Sequence, residues 1–178
     1  DEEERLRDSV RRSRELIKEI RKRLEESIRR SERINERVRE ELRRSVRESE
    51  RSAEEARRRG DLREELLKEL EEVNKALEDM LRKNEKKSED VNEDLRRRIK
   101  ELEEELERVN DTVRKLIERN RDTETVLEEH KERVKRILDR ARDLLRKHRE
   151  LVEDSRRHLE KLLRDHRKVV KEIEDKIR

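Results

Sequence analysis

An interval of eighteen residues recurs throughout this chain. Leu6, Leu24 and Leu42 are eighteen apart, as are Val10, Ile28 and Val46. So are Val73, Val91 and Val109; Leu81, Ile99 and Ile117; Leu127, Leu145 and Leu163; and Val134, Val152 and Val170. At 3.6 residues per turn, eighteen residues make five whole turns. A strict heptad repeat imposes a left-handed supercoil and an eleven-residue repeat a right-handed one. An eighteen-residue repeat imposes neither, so helices can stay straight and present one face throughout. The repeated positions fall on a stripe about 120° wide in each helix. Three such stripes facing inward close a bundle.

Punctuation is sparse and divides the chain into thirds. Gly60 suits the left-handed position that ends a helix, and Arg57, Arg58 and Arg59 place cations in the last turn. Asp61 is positioned to cap the next helix, with Glu64 as its capping-box partner. The second break is at Asn120, with Asp122 or Thr123 as the following cap. These breaks predict helices near 2–59, 61–120 and 122–178, each roughly 87 Å long at 1.5 Å per residue. The segment around Lys83 to Asp94 lacks Gly and Pro, and the repeat runs through it, so it reads as helix. Short connections make sequential helices antiparallel neighbours. The expected fold is all-α: a straight, untwisted, up-down-up antiparallel three-helix bundle forming a single domain over residues 1–178. Arg59, Gly60 and Asp61 also spell an integrin-binding tripeptide, but helix-stop and helix-cap chemistry accounts for them.

Composition supports helix over disorder. Charged residues make up 60% of the chain and hydrophobic ones 27%. The formal net charge is only +3, and Leu, Glu, Lys and Arg dominate. No stretch approaches the roughly 20 apolar residues of a membrane span, and no signal-peptide pattern opens the sequence. Cysteine is absent, so no disulfide staples the fold. Basic and acidic residues are finely mixed and aromatic residues are absent, a pattern that argues against nucleic-acid binding.

Polar residues interrupt the apolar stripes on the same interval. They form columns: Ser9, Ser27, Ser45; Ser13, Ser31, Ser49; Asn74, Asn92, Asn110; and His130, His148, His166. Equal-rise geometry sets residue i of the first helix opposite roughly 120−i in the second and i+123 in the third. Three layers result: Ser9, Ser13, Asn110, His130; Ser27, Ser31, Asn92, His148; and Ser45, Ser49, Asn74, His166. Successive layers lie about 27 Å apart. Imidazole, amide and hydroxyl can satisfy one another, whereas each group left unpaired in a core costs about 1–3 kcal/mol. The layers therefore penalise packings that separate them, as a buried Asn does in a coiled coil. A slip of eighteen residues would match them again. A further layer, Asn35, Asn84, Ser88 and Ser155, has mostly apolar equivalents in the other repeats and is expected to fix the register.

The chemistry these residues could perform is limited. The column histidines are too far apart to share one ion, and a lone His beside Ser and Asn lacks convergent zinc ligands. No nucleophile elbow, phosphate loop or HExxH motif stands out. His158 sits at the edge of its stripe and is expected to be half exposed. We expect no catalytic residue, metal, cofactor or small-molecule ligand. Buried neutral histidines should titrate below their usual value near 6.5, weakening the fold between roughly pH 6 and 4.

The repeated Ser/Asn/His columns, idealised caps and charge-saturated surface resemble de novo designed helical bundles with buried hydrogen-bond networks. That resemblance covers the whole chain and implies a structural scaffold, a pH-responsive bundle or an assembly component. It implies a synthetic, soluble chain found in the cytoplasm of an expression host. With one inward stripe per helix, a monomer is expected; self-association or a designed partner chain is the alternative. The natural counterpart, a spectrin-like or tethering coiled coil, usually keeps core aromatics and a heptad drift, neither of which occurs here.

Overall fold

A computed structural model of the chain describes residues 1–60, 63–119 and 122–177. They form three helices, α1 (Glu2–Arg58), α2 (Glu64–Glu118) and α3 (Thr123–Ile177), which pack as an all-α three-helix bundle. Their apolar residues recur with the helical period, so one face of each helix is buried and the other is charged. None of the described helices is long and apolar enough to cross a membrane.

The chain divides into two compact units, each holding a stretch of every helix. The first comprises Asp1–Arg29 and Val91–Leu151. Its larger core joins Ile17, Ile20, Leu24 and Ile28 of α1 to Leu95, Ile99, Leu102 and Leu106 of α2 and Ile137, Leu138 and Leu145 of α3. A smaller cluster gathers Leu6, Val10, Val113, Val126 and Leu127. Cross-helix partners give the directions. Ser9 meets His130 and Ser27 meets His148, both 121 residues apart, so α1 and α3 run parallel here. The separation grows from 20 for Asn110 and His130 to 56 for Asn92 and His148, so α2 runs antiparallel to α3.

The second unit comprises Arg30–Asp90 and Val152–Arg178. One core cluster contains Ile34, Val38, Leu42, Leu77, Val152, Leu159 and Leu163. Another contains Ala53, Leu66, Leu70, Val170 and Ile173. Here the α1–α2 separation falls from 53 for Asn35 and Ser88 to 25 for Ser49 and Asn74, the antiparallel pattern. Burying a large aliphatic side chain contributes about 1.5–3 kcal/mol, so Leu70 and Ile173, at 2% and 1% exposed, are among the main contributors to this unit.

The helix ends refine the sequence reading. Gly60 adopts φ +75° and donates its N–H to the Arg57 carbonyl at 3.1 Å. That bond belongs to a helix end closed by a left-handed residue. The expected cap Asp61 lies outside the described residues, as does Asn120. α2 starts at Glu64, later than expected, and the Arg63 carbonyl accepts from Leu66 at 3.1 Å and Leu67 at 3.2 Å. Glu64 is therefore the first helical residue, not the third position of a capping box. The one-residue turn expected from the sequence is too short: axes of packed helices lie about 8–10 Å apart, and connections between them commonly take 2–8 residues. Asp122 does cap α3. Its carbonyl accepts from Val126 at 3.0 Å, and its carboxylate accepts the Thr125 hydroxyl at 2.8 Å.

A Cβ added at Gly60 would meet nothing within 4 Å. Gly60→Ala should therefore lose stability through backbone conformation alone, by about 1 kcal/mol. Urea denaturation checks this, and a loss several times larger would mean that the turn is packed more tightly than its geometry implies.

Candidate functional site

The polar columns enter the core because serine, asparagine and histidine occupy positions on the buried face of each helix. His130, His148 and His166 are 2%, 3% and 5% exposed. Asn110, Asn92 and Asn74 are buried beside them, as are Ser13, Ser27, Ser31 and Ser49. Ser9 and Ser45 are half-buried.

In the first unit the Nε2 atoms of His130 and His148 each lie 2.8 Å from an asparagine oxygen, Oδ1 of Asn110 and Asn92 respectively. An amide oxygen only accepts, so Nε2 carries the ring proton and Nδ1 is left as an acceptor. Serine supplies the donor. Ser9 Oγ is 3.3 Å from His130 Nδ1, and Ser27 Oγ is 2.6 Å from His148 Nδ1. The result is a directed chain from serine hydroxyl through imidazole to amide oxygen, crossing all three helices. Around His130 the chain continues: Asn110 Nδ2 donates to Ser13 Oγ at 3.4 Å, and the Ser13 hydroxyl donates to the Val10 carbonyl at 2.7 Å. Serine in a helix interior commonly bonds back to the preceding turn, and here that leaves its lone pairs for the amide.

The second unit holds one histidine layer and the expected register layer. His166 Nε2 lies 2.8 Å from Asn74 Oδ1, Asn74 Nδ2 donates to Ser49 Oγ at 3.3 Å, and Ser49 donates to the Val46 carbonyl at 2.8 Å. Ser45 does not complete this layer: His166 Nδ1 is buried with no partner among the described residues. Asn35, Asn84, Ser88 and Ser155 are all half-buried and meet as two pairs. Asn35 Nδ2 donates to Ser88 Oγ at 3.2 Å, and Ser155 donates to Asn84 Oδ1 at 3.5 Å.

Two further sequence expectations need correction. Ser31, grouped above with Asn92 and His148, bonds Ser88 at 2.9 Å and so belongs with the Asn35 pair. Equal-rise geometry already contained that signal, because it sets residue 31 opposite about residue 89. His158 is exposed rather than half-buried, since its position lies beyond the edge of the buried stripe.

Burial lowers the pKa of His130 and His148 below 6.5, because the interior disfavours the charged ring. For His166 burial acts first and the neighbouring Arg167 cation adds to it. Among the described residues, no group of three or more His, Cys, Asp or Glu side chains is placed to hold a metal ion. Ion pairs flank the layers on the surface. In the first unit Arg14 grips Glu107 with two bonds of 2.8 and 2.9 Å, and Arg140 meets Glu105 at 2.6 Å. In the second, Arg39 pairs with Glu85, and Arg167 with Glu41 at 3.6 Å. Such exposed pairs contribute about 0–1 kcal/mol each, so the buried layers carry the greater consequence when broken.

No family model, curated protein or solved structure matches this chain.

Asn92→Ala would strand the His148 Nε2–H in the core and should cost about 1–3 kcal/mol beyond the lost packing. Removing the whole chain together, with Ser27→Ala, Asn92→Leu and His148→Leu, should cost less than the single change, because no polar group is left unpaired. Guanidinium denaturation of both variants decides the matter. A triple variant weaker than Asn92→Ala would mean that the polar chain itself, not the penalty for breaking it, stabilises the core.

Proposed function

We propose that this chain is a designed structural scaffold whose buried serine, histidine and asparagine layers specify helix packing and register, with no catalytic role. The observation that carries the proposal is the duplication of one polar device. The same Ser–His–Asn chain forms twice, with the same 121-residue offset between serine and histidine and the same 2.8 Å contact between imidazole and amide. An eighteen-residue sequence interval separates the two copies. Repeating a fully bonded polar layer along a core penalises misaligned packings more than it adds net stability. The Asn35–Ser88 and Ser155–Asn84 pairs then serve as the layer that distinguishes the native register from one slipped by a full repeat. We further read the chain as monomeric, without a nucleic-acid, membrane or small-molecule partner.

The register role is tested by replacing Ser31, Asn35, Asn84, Ser88 and Ser155 together with Ile or Leu. Helicity should persist, and spin-label distances between α1 and α3 should split into more than one population. A single distance distribution unchanged from the parent would remove the register role.

A second reading is a bundle that loosens in acid, favoured by three buried imidazoles whose neutral form the core prefers. The sign follows from linkage. A histidine with a folded pKa below its unfolded value near 6.5 binds fewer protons when folded. Its contribution is present above that value, and it is lost as pH falls from there through the lowered folded pKa. Replacing His130, His148 and His166 with Asn should flatten the pH dependence of stability below about 6.5. Equal acid sensitivity in both proteins, read by circular dichroism, would assign the effect to carboxylates instead.

A further inference from the structure

The three histidines stand at equivalent positions, yet their surroundings differ at one atom. Ser9 and Ser27 each lie 121 residues before their histidine and reach its Nδ1. Ser45 has the same place relative to His166 in the sequence, but His166 Nδ1 is buried with no partner among the described residues. The asparagine side of the ring is fixed as in the other layers, with Nε2 directed at Asn74 Oδ1 at 2.8 Å. The ring therefore keeps its proton on Nε2, and its Nδ1 lone pair is left unused among the described residues.

Among the described residues, no protein group takes that lone pair. The Ser49 hydroxyl is committed to the Val46 carbonyl at 2.8 Å, and its oxygen accepts from Asn74. Glu41, one turn before Ser45, has no proton to donate when ionised. It pairs at 3.6 Å with Arg167, the residue following His166. Ser45 remains, half-buried and at the sequence position whose equivalents reach Nδ1 in the other two layers.

We infer that His166 Nδ1 and Ser45 Oγ form a binding site for one small hydrogen-bond donor, a water molecule, which bridges them. Water donates one hydrogen to Nδ1 and accepts the Ser45 hydroxyl proton, satisfying a buried acceptor and a half-buried donor together. A water in a polar site needs at least two such partners, and these two provide them. The direct Ser–His bonds at His130 and His148 leave no equivalent acceptor there. The inference concerns the chemistry of this layer alone and stands whether or not the layers act as register devices.

A crystal structure of the full chain at high resolution tests it. The expected result is an ordered water within 3.2 Å of His166 Nδ1 and in contact with Ser45, and no water on Nδ1 of His130 or His148. Ser45 Oγ itself within hydrogen-bond distance of Nδ1, or any other protein atom there, would overturn it. In solution, magnetisation transfer from water to the His166 ring Hε1 should be seen, and should be lost in Ser45→Gln, whose longer amide can donate to Nδ1 directly. Persistence of that transfer in Ser45→Gln, or equal transfer to all three rings in the parent, would count against the site.

Discussion

Placing an imidazole in an aliphatic core is the constraint on which the rest of this structure depends. A neutral ring has one donor and one acceptor, and each carries a cost if it finds no partner. Asparagine answers the donor in all three layers, at 2.8 Å each time. Serine answers the acceptor in two. Because the three residues come from three different helices, satisfying one ring fixes the relative height of all of them. Apolar contacts alone would tolerate sliding, since Leu, Ile and Val pack against one another in many arrangements.

The polar chains also set protonation. An Asn oxygen facing Nε2 selects one tautomer, and the serine hydroxyl then donates to the other nitrogen. Burial holds the ring neutral, and a proton added to Nδ1 would confront a hydroxyl that must reverse its direction. At His166 the neighbouring Arg167 adds repulsion. The layers proposed to align the helices would thus also make them sensitive to acid, and the two readings of function share one physical cause.

Much of this was legible in the sequence, because each feature rests on periodicity. The eighteen-residue interval placed Ser13, Ser49, Asn74, Asn92, Asn110 and the column histidines on buried faces, where they are found. Gly60 marked the end of α1. What the periodicity could not give was spacing finer than a turn. It assigned Ser31 by its column, whereas height assigned it to Ser88. It treated Ser45 as equivalent to Ser9 and Ser27, although whether a hydroxyl reaches a ring nitrogen depends on differences smaller than the rise of one residue. The start of α2 was misplaced for a related reason: a glycine and an aspartate identify a turn, but the helix begins only where successive N–H groups first align, at Glu64.

The most direct test of the account is long-range proton–nitrogen spectroscopy of the four imidazoles at neutral pH. The rings of His130, His148 and His166 should each show a neutral form protonated at Nε2, with that N–H protected from exchange. The exposed His158 should give no protected N–H. Core rings protonated at Nδ1, or Nε2 protons exchanging as fast as those of His158, would contradict the claim that asparagine and imidazole lock the helices together.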